Sequence, residues 1–179
     1  MDIFVEQLVV KKKTGKTYLG IFGSLVGVFV ALWLFLTILM PLVSKFIPML
    51  GGLSFLILFG LVYLFYRFIS NTNMEYEYCF TNGALDVDKI LNRRSRKKFT
   101  SLNARSIDKM ARANDPEFER LMKDSGVKKL YACSLVQAPD TYYVLFSNEK
   151  GRQMLLFNPN DKIKDGFKRF NPQKVFLDD

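Results

Sequence analysis

The chain has 179 residues, a formal net charge of +9, no histidine and two cysteines. Without histidine, Ser-His-Asp and Cys-His catalysis and HExxH zinc centres are excluded. A mean hydropathy of +0.06 averages two unlike parts, an apolar front and a polar back.

Residues 1–10 place Ile3, Phe4 and Leu8, with nearby valines, on one face of a short helix, and Lys11, Lys12, Lys13 and Lys16 follow. The expectation for residues 1–16 is a basic, amphipathic interfacial helix, with a strand as the alternative. Residues 17–44 then run for 28 positions without a charge, and residues 46–66 for 21 more. A bilayer core needs about 20 such residues in a helix. Residues 17–70 therefore read as a transmembrane hairpin with spans at 18–43 and 47–69. The first run is too long for a signal peptide and lacks a small-residue cleavage site.

Gly20, Gly23, Ser24 and Gly27 lie on the first half of the first span. Gly23 and Gly27 form a small-xxx-small pair that lets a helix approach closely, with the second span as the obvious neighbour. Pro41 and Pro48 bracket Ser44-Lys45 and mark the turn. No ionisable residue sits in either apolar interior, which argues against transport by this chain alone. Four lysines precede the first span and Arg67 closes the second, against Lys45 in the turn. The positive-inside rule then predicts a multi-pass cell-membrane protein with both termini cytoplasmic.

Residues 71–179 form the candidate cytoplasmic domain. Tyr76, Tyr78 and Phe80 alternate along a strand, and Asn82-Gly83 supplies a tight hairpin turn. Return strands are expected at 84–91, 96–102 and 106–111. Asp115-Pro116 starts a helix, with Phe118, Leu121 and Met122 as its apolar stripe and Gly126 as its stop. Strands at 128–136, 141–147 and 152–157 follow, then an amphipathic helix over 160–170 with Ile163, Phe167 and Phe170 inward and Pro172 just past its end. The expected fold class is an α+β membrane protein: a two-helix hairpin, then an antiparallel barrel or sandwich of about seven strands closed by a C-terminal helix.

Few residues carry candidate chemistry. Asp86 and Asp88 share a strand face, more readily a solvated face than a metal site. Cys79 and Cys133 fit no zinc or redox spacing. Tyr131, Tyr142, Tyr143 and Phe146 read as core rather than as a binding face. Lys89, Arg93, Arg94, Arg96, Lys97, Lys98 and Arg105 form a run of seven bases with no acid between them. It is a solvated hairpin, a contact for anionic lipid head groups or, least favoured, a nucleic-acid contact, for which Phe99 stands nearly alone among the bases.

The strand Tyr76-Glu77-Tyr78-Cys79-Phe80 with its turn Thr81-Asn82-Gly83 and return Ala84-Leu85-Asp86-Val87, the basic stretch from Lys89 to Lys98, and Phe157-Asn158-Pro159 before the last helix resemble a pleckstrin-homology-like domain. The layout is similar to a small bacterial family of two-helix membrane proteins with such a C-terminal domain. The resemblance implies a binding or scaffolding module rather than an enzyme. The residues themselves point to no catalytic group, no cofactor and no metal, and the expected partner is a protein. The alternatives are a sensor of anionic lipid head groups and, behind it, an enzyme acting on lipid or envelope precursors through carboxylates, lysine, tyrosine or cysteine.

Overall fold

The computed structural model describes residues 3–46, 53–70, 73–149 and 151–177. They divide into two compact units, Lys13–Asn73 and a second that combines Met1–Lys12 with Met74–Asp179.

In the first unit, α1 (Gly15–Leu34) continues through a π-helical turn, Phe35–Leu39, into α2 (Met40–Phe46). Pro41 is expected from sequence to open the turn between spans, but it lies inside this continuous helix. Proline cannot donate, and its ring crowds the carbonyl one turn back. The wide turn just ahead of it, with the Met40 N–H reaching Phe35 O, is how the helix passes the proline. Gly15–Leu42 has a mean hydropathy of 2.5 and is, among the described residues, the one helix long and apolar enough to cross a membrane. The helix α3 (Leu53–Ser70) touches α1, and Leu56–Ser70 is a shorter apolar stretch. The expected turn at Pro48 and the start of the second expected span lie outside the described residues.

The second unit starts with β1 (Phe4–Val10), where an interfacial helix is expected from sequence. The correction has a clear cause. Val5, Gln7 and Val9 point inward, Phe4, Glu6, Leu8 and Val10 outward, and the partner strand lies beyond the apolar helices. That partner is β2 (Met74–Thr81), which pairs antiparallel with β1 from Phe4↔Thr81 to Val10↔Glu75. β3 (Ala84–Leu91) returns through the Asn82-Gly83 turn, where both residues have positive φ, and β4 (Ser95–Asn103) completes the sheet in the order β1-β2-β3-β4. The 3-10 turn Ala104–Ser106 then leads to the second sheet.

That sheet contains β5 (Ile107–Arg112), β6 (Lys128–Tyr131), β7 (Tyr142–Asn148) and β8 (Gly151–Phe157), ordered β5-β7-β8-β6. The expected meander is broken at β6. It is four residues long, not nine, and runs parallel to β8 at the far edge. Among the described residues, eight strands thus form two four-stranded sheets. The helix α4 (Pro116–Lys123) carries the chain from β5 across to β6, with the Asp115 side chain accepting from Glu117 N–H at its start. The helix α5 (Asp161–Phe170) is capped by Asn160, which accepts from Ile163 N–H at 2.9 Å.

The main core lies between the sheets. Tyr78, Phe80, Leu85 and Val87 from the first face Val144, Phe146, Leu155 and Phe157 from the second, and Ile163 and Phe167 of α5 close one end. Rings meet through it, Phe80 tilted against Phe167 at 5.1 Å and Tyr78 edge-to-face with Phe157 at 5.7 Å. Gly166 is needed for this closure, because a Cβ there would sit 2.6 Å from Phe80 Cε1. A second cluster covers the other face of the second sheet, where Tyr143, Leu145, Met154 and Leu156 meet Leu121, Val127 and Cys133. This explains the unbroken apolar runs of β7 and β8: strands buried on both faces lose the alternation of a half-exposed strand.

Asn158 ties the pieces together. Its backbone N–H donates to the Tyr78 hydroxyl (3.2 Å), its carbonyl accepts from Gln7 Nε2 (2.8 Å), its Oδ1 accepts from Ser134 N–H (2.7 Å) and its Nδ2 donates to Thr141 Oγ1 (3.0 Å). A buried amide satisfied on every side is costly to disturb.

Because β1 is an integral strand, residues 73–179 alone are an incomplete domain. A protein joining residues 1–12 to 73–179 through a short Gly/Ser link is expected to unfold in one cooperative step in urea. Omitting residues 1–12 is expected to cost at least about 3 kcal/mol, the burial of Val9 and its half-buried neighbours. Equal stability of the two would show that β1 contributes nothing.

Candidate binding surfaces

The basic run maps onto β3, β4 and their connection, Asn92-Arg93-Arg94, in which Asn92 and Arg93 adopt positive φ. The antiparallel register sets what each base meets. On the outer face, Glu77 of β2, Asp88 of β3 and Lys98 of β4 fall in one row, and Cys79, Asp86 and Ser101 in the next. Carboxylates on β2 and β3 thus stand beside bases on β4. Arg93 pairs with Glu75 (3.0 Å), Arg96 with Glu77 and Asp88, and Lys98 with Asp86 (2.9 Å). The hydrogen bond from Lys98, helped by Ser101, holds the Asp86 carboxyl below the ordinary range.

Three of the seven bases are therefore engaged by acids that are distant in sequence. Arg105 is separated from the rest. It lies in the 3-10 turn after β4, over the Phe170 ring at 4.8 Å. Lys89, Arg94 and Lys97 form no ion pair among the described residues. Lys89 and Lys97 are cross-strand partners on the inward-facing row that begins at Tyr76.

Counting bases along the chain misses two members of this end of the sheet. Val10 pairs with Glu75, Met74 with Leu91 and Leu91 with Ser95. The Lys11 N–H donates to Met74 O at 3.0 Å. The exposed Lys11 and Lys12 therefore stand at the same sheet end as Arg94 and Lys97.

The glycines Gly20, Gly23 and Gly27 are placed on α1, and a Cβ at any of them would meet nothing within 4 Å among the described residues. Half-buried positions on α1 instead recur at Ile21, Ser24, Val28 and Leu32. Ser24 Oγ donates to Ile21 O at 2.7 Å, back along its own helix.

A second polar cluster, absent from the sequence-derived candidates, centres on Lys109 of β5. Its ammonium meets Asp115 at 2.5 Å and Glu117 at 2.8 Å, beside the Tyr143 hydroxyl, which donates to Asp115 at 3.3 Å. Burial works against charge on Lys109, but the two carboxylates outweigh it and raise its pKa. Burial likewise works to raise Asp115, yet the Lys109 ammonium and the Glu117 N–H hold it low. Burial pushes the Tyr143 phenol up to about 12. The cluster clasps β5, β7 and the start of α4. Among the described residues no three His, Cys, Asp or Glu side chains gather as metal ligands. Cys79 and Cys133 are both free thiols, and burial pushes Cys133 up to about 11.

The clasp has a pH signature. A carboxyl held low in the folded state contributes stability above its unfolded pKa of about 3.9 and loses it as pH falls through the folded value. Lys109→Met is expected to cost about 1–3 kcal/mol at pH 7, and the gap from wild type is expected to shrink as unfolding is measured from pH 5 downward. A gap that stays constant to pH 2 would show that Asp115 is not held by Lys109. In comparisons with known proteins, no curated protein and no solved structure matches the chain. A family model does, the Bacterial PH-like domain (DUF6106), over residues 1–177. It takes in β1, the apolar helices and both sheets together, so the chain belongs to this bacterial PH-like family.

Proposed function

We propose that this protein is a non-catalytic binding and scaffolding module, held at the inner face of the cell membrane by two spans. A PH-like domain favours binding over chemistry. The observation that carries the anchoring is the β1–β2 pairing. Residues 11 and 74 are joined by a backbone hydrogen bond, so the segment between them begins and ends at one place. A chain that leaves and returns on one side of a bilayer crosses it an even number of times. Gly15–Leu42 is long enough to cross. The return then falls to the region of α3, whose 18 residues span about 27 Å at 1.5 Å per residue. Lys11, Lys12, Lys13, Lys16 and Arg67 flank the ends on the domain side, against Lys45 in the last turn of α2, which supports a cytoplasmic domain.

A cysteine introduced as Lys45→Cys, with Cys79 and Cys133 changed to serine, tests this in right-side-out and inverted vesicles. An impermeant maleimide is expected to reach position 45 only from outside, while a C-terminal epitope is cleaved only from the cytoplasmic side. Labelling of position 45 from the cytoplasm would refute the hairpin. Crosslinking in the native membrane tests the module itself, and a chain recovered without any protein partner would count against it.

A second reading is supported by the sheet register. Lys11, Lys12, Arg94 and Lys97 cluster at the end of the sheet from which both connections to the apolar helices depart. Each base near an anionic leaflet contributes about 1 kcal/mol, screened by salt. This sheet end would then rest on anionic head groups. The joined protein of residues 1–12 and 73–179 is expected to float with vesicles containing phosphatidylglycerol and not with neutral ones. Arg94→Glu with Lys97→Glu is expected to weaken binding by roughly 2 kcal/mol or more, beyond Arg93→Glu with Arg96→Glu, whose side chains are already paired. Equal flotation on both vesicle types, or on neither, would exclude recognition of anionic head groups.

A further inference from the structure

The strand β5 is an edge of its sheet, with β7 on one side. Its other side is filled by the chain's own residues after α5. The Met110 N–H donates to Lys174 O and the Phe176 N–H donates to Met110 O, each at 2.8 Å, and Met110 and Val175 form a parallel bridge. Val175 is 1% exposed and enters the main core, and Leu177 packs against it. Two lysines hold the strap: Lys174 Nζ donates to Ile107 O at 3.0 Å, and Lys168 Nζ, from α5, donates to Val175 O at 2.8 Å. Phe176 stays half-exposed, with the Lys109 ammonium 5.4 Å from its ring centre. The strap is thus a strand addition only one bridge long, joined to the domain through the turn after α5.

We propose that the β5 edge is a docking site for an extended segment of a partner protein, and that residues 174–177 are the internal segment that competes for it. The proposal rests on the binding-module reading and names the edge through which the module acts. The seated strap defines what fits. The partner segment runs parallel to β5. It offers a carbonyl to Met110 N–H, an N–H to Met110 O and a further carbonyl to Lys168. It places a β-branched apolar side chain where Val175 lies and an aromatic one beneath Lys109. Main-chain bonds supply the affinity and the Val175 site the selectivity. A tethered strap faces its own site at a high effective concentration, so it suppresses weak ligands and yields only to better ones.

The test uses the full chain in nanodiscs, a variant lacking residues 172–179, and a labelled synthetic peptide with the sequence of residues 171–179. The shortened chain is expected to bind the peptide saturably, and the full chain at least about ten-fold more weakly because its strap competes. A peptide carrying Val175→Asp is expected not to bind. No binding to a folded shortened chain, equal binding to both chains, or equal binding of the altered peptide would each overturn the proposal. Should the shortened chain not fold, hydrogen exchange on the full chain decides. The Phe176 and Met110 amides are expected to exchange about a hundred-fold faster than that of Val144; equal rates would make the strap a permanent part of the core and reject it. A dimer mass lost on shortening would assign the site to a second copy of the chain and overturn the partner. A native-membrane partner crosslinking equally to both chains would reject the β5 edge while leaving the module reading intact.

Discussion

The pairing of β1 with β2 is the contact on which the rest of this structure depends. Its two strands are separated in sequence by the whole apolar unit, so the first sheet cannot be completed until that unit has been spanned. The entropic cost of closing so long a connection grows only slowly with its length. A seven-residue ladder, the buried Val9 and the reach of Gln7 to Asn158 and Asn160 offset it. The consequence for function is geometric. Because the ladder ties residue 11 to residue 74, the apolar unit is an insertion in the domain rather than a leader to it, and strain on either helix connection bears first on the β1–β2 end of the sheet.

The same register rearranges the meaning of the charges. Read along the chain, the bases from Lys89 to Arg105 form a block without acids. Across the strands, the outer face of the first sheet is a set of matched columns, with Glu75, Glu77, Asp86 and Asp88 drawn against Arg93, Arg96 and Lys98. Exposed pairs of this kind contribute little to stability, but they remove their bases from any count of free positive charge. Apart from Arg105, what remains uncompensated lies towards one end, and it includes Lys11 and Lys12. Linear density of charge was thus a poor guide to the location of the basic surface, and strand register a good one.

What could be read in advance was whatever is encoded locally. The Asn82-Gly83 hairpin, the Asp115 and Asn160 caps and the inward stripe of Ile163 and Phe167 depend on neighbours a few residues away, and each appears where its pattern indicates. The misreadings are non-local. The β1 stretch lacks a polar–apolar alternation because Phe4, Leu8 and Val10 are exposed apolar residues on its outer face, and nothing within it points to a partner beyond the helices. The sequence predicts a longer β6 than forms, because Ala132 and Cys133 are buried without being paired as a strand. Its parallel placement depends on the α4 crossover. The Lys109 cluster joins three elements and has no linear trace. The strap did carry a signal, the β-branched, aromatic and aliphatic run Val175-Phe176-Leu177 just after Pro172, but its acceptor strand is more than sixty residues earlier.

Two open sheets have four edges, and each is guarded differently. The β4 edge carries Arg96, Lys97 and Lys98, charges that discourage a neighbouring strand. β6 is only four residues long, too short to template much pairing. At β1, the Lys12 N–H donates to Ser134 O and Gln7 binds the connection to α5, so folded chain lies against part of that edge. Among the described residues, only β5 is guarded by a segment that itself mimics an added strand. Charge, shortness and crossing connections are permanent, because none can be removed without changing the sequence or unfolding the domain. A strap held by two main-chain bonds, one buried valine and two lysine contacts can be exchanged for another segment making the same bonds. Of the four edges, β5 is therefore the one whose protection is compatible with regulated binding.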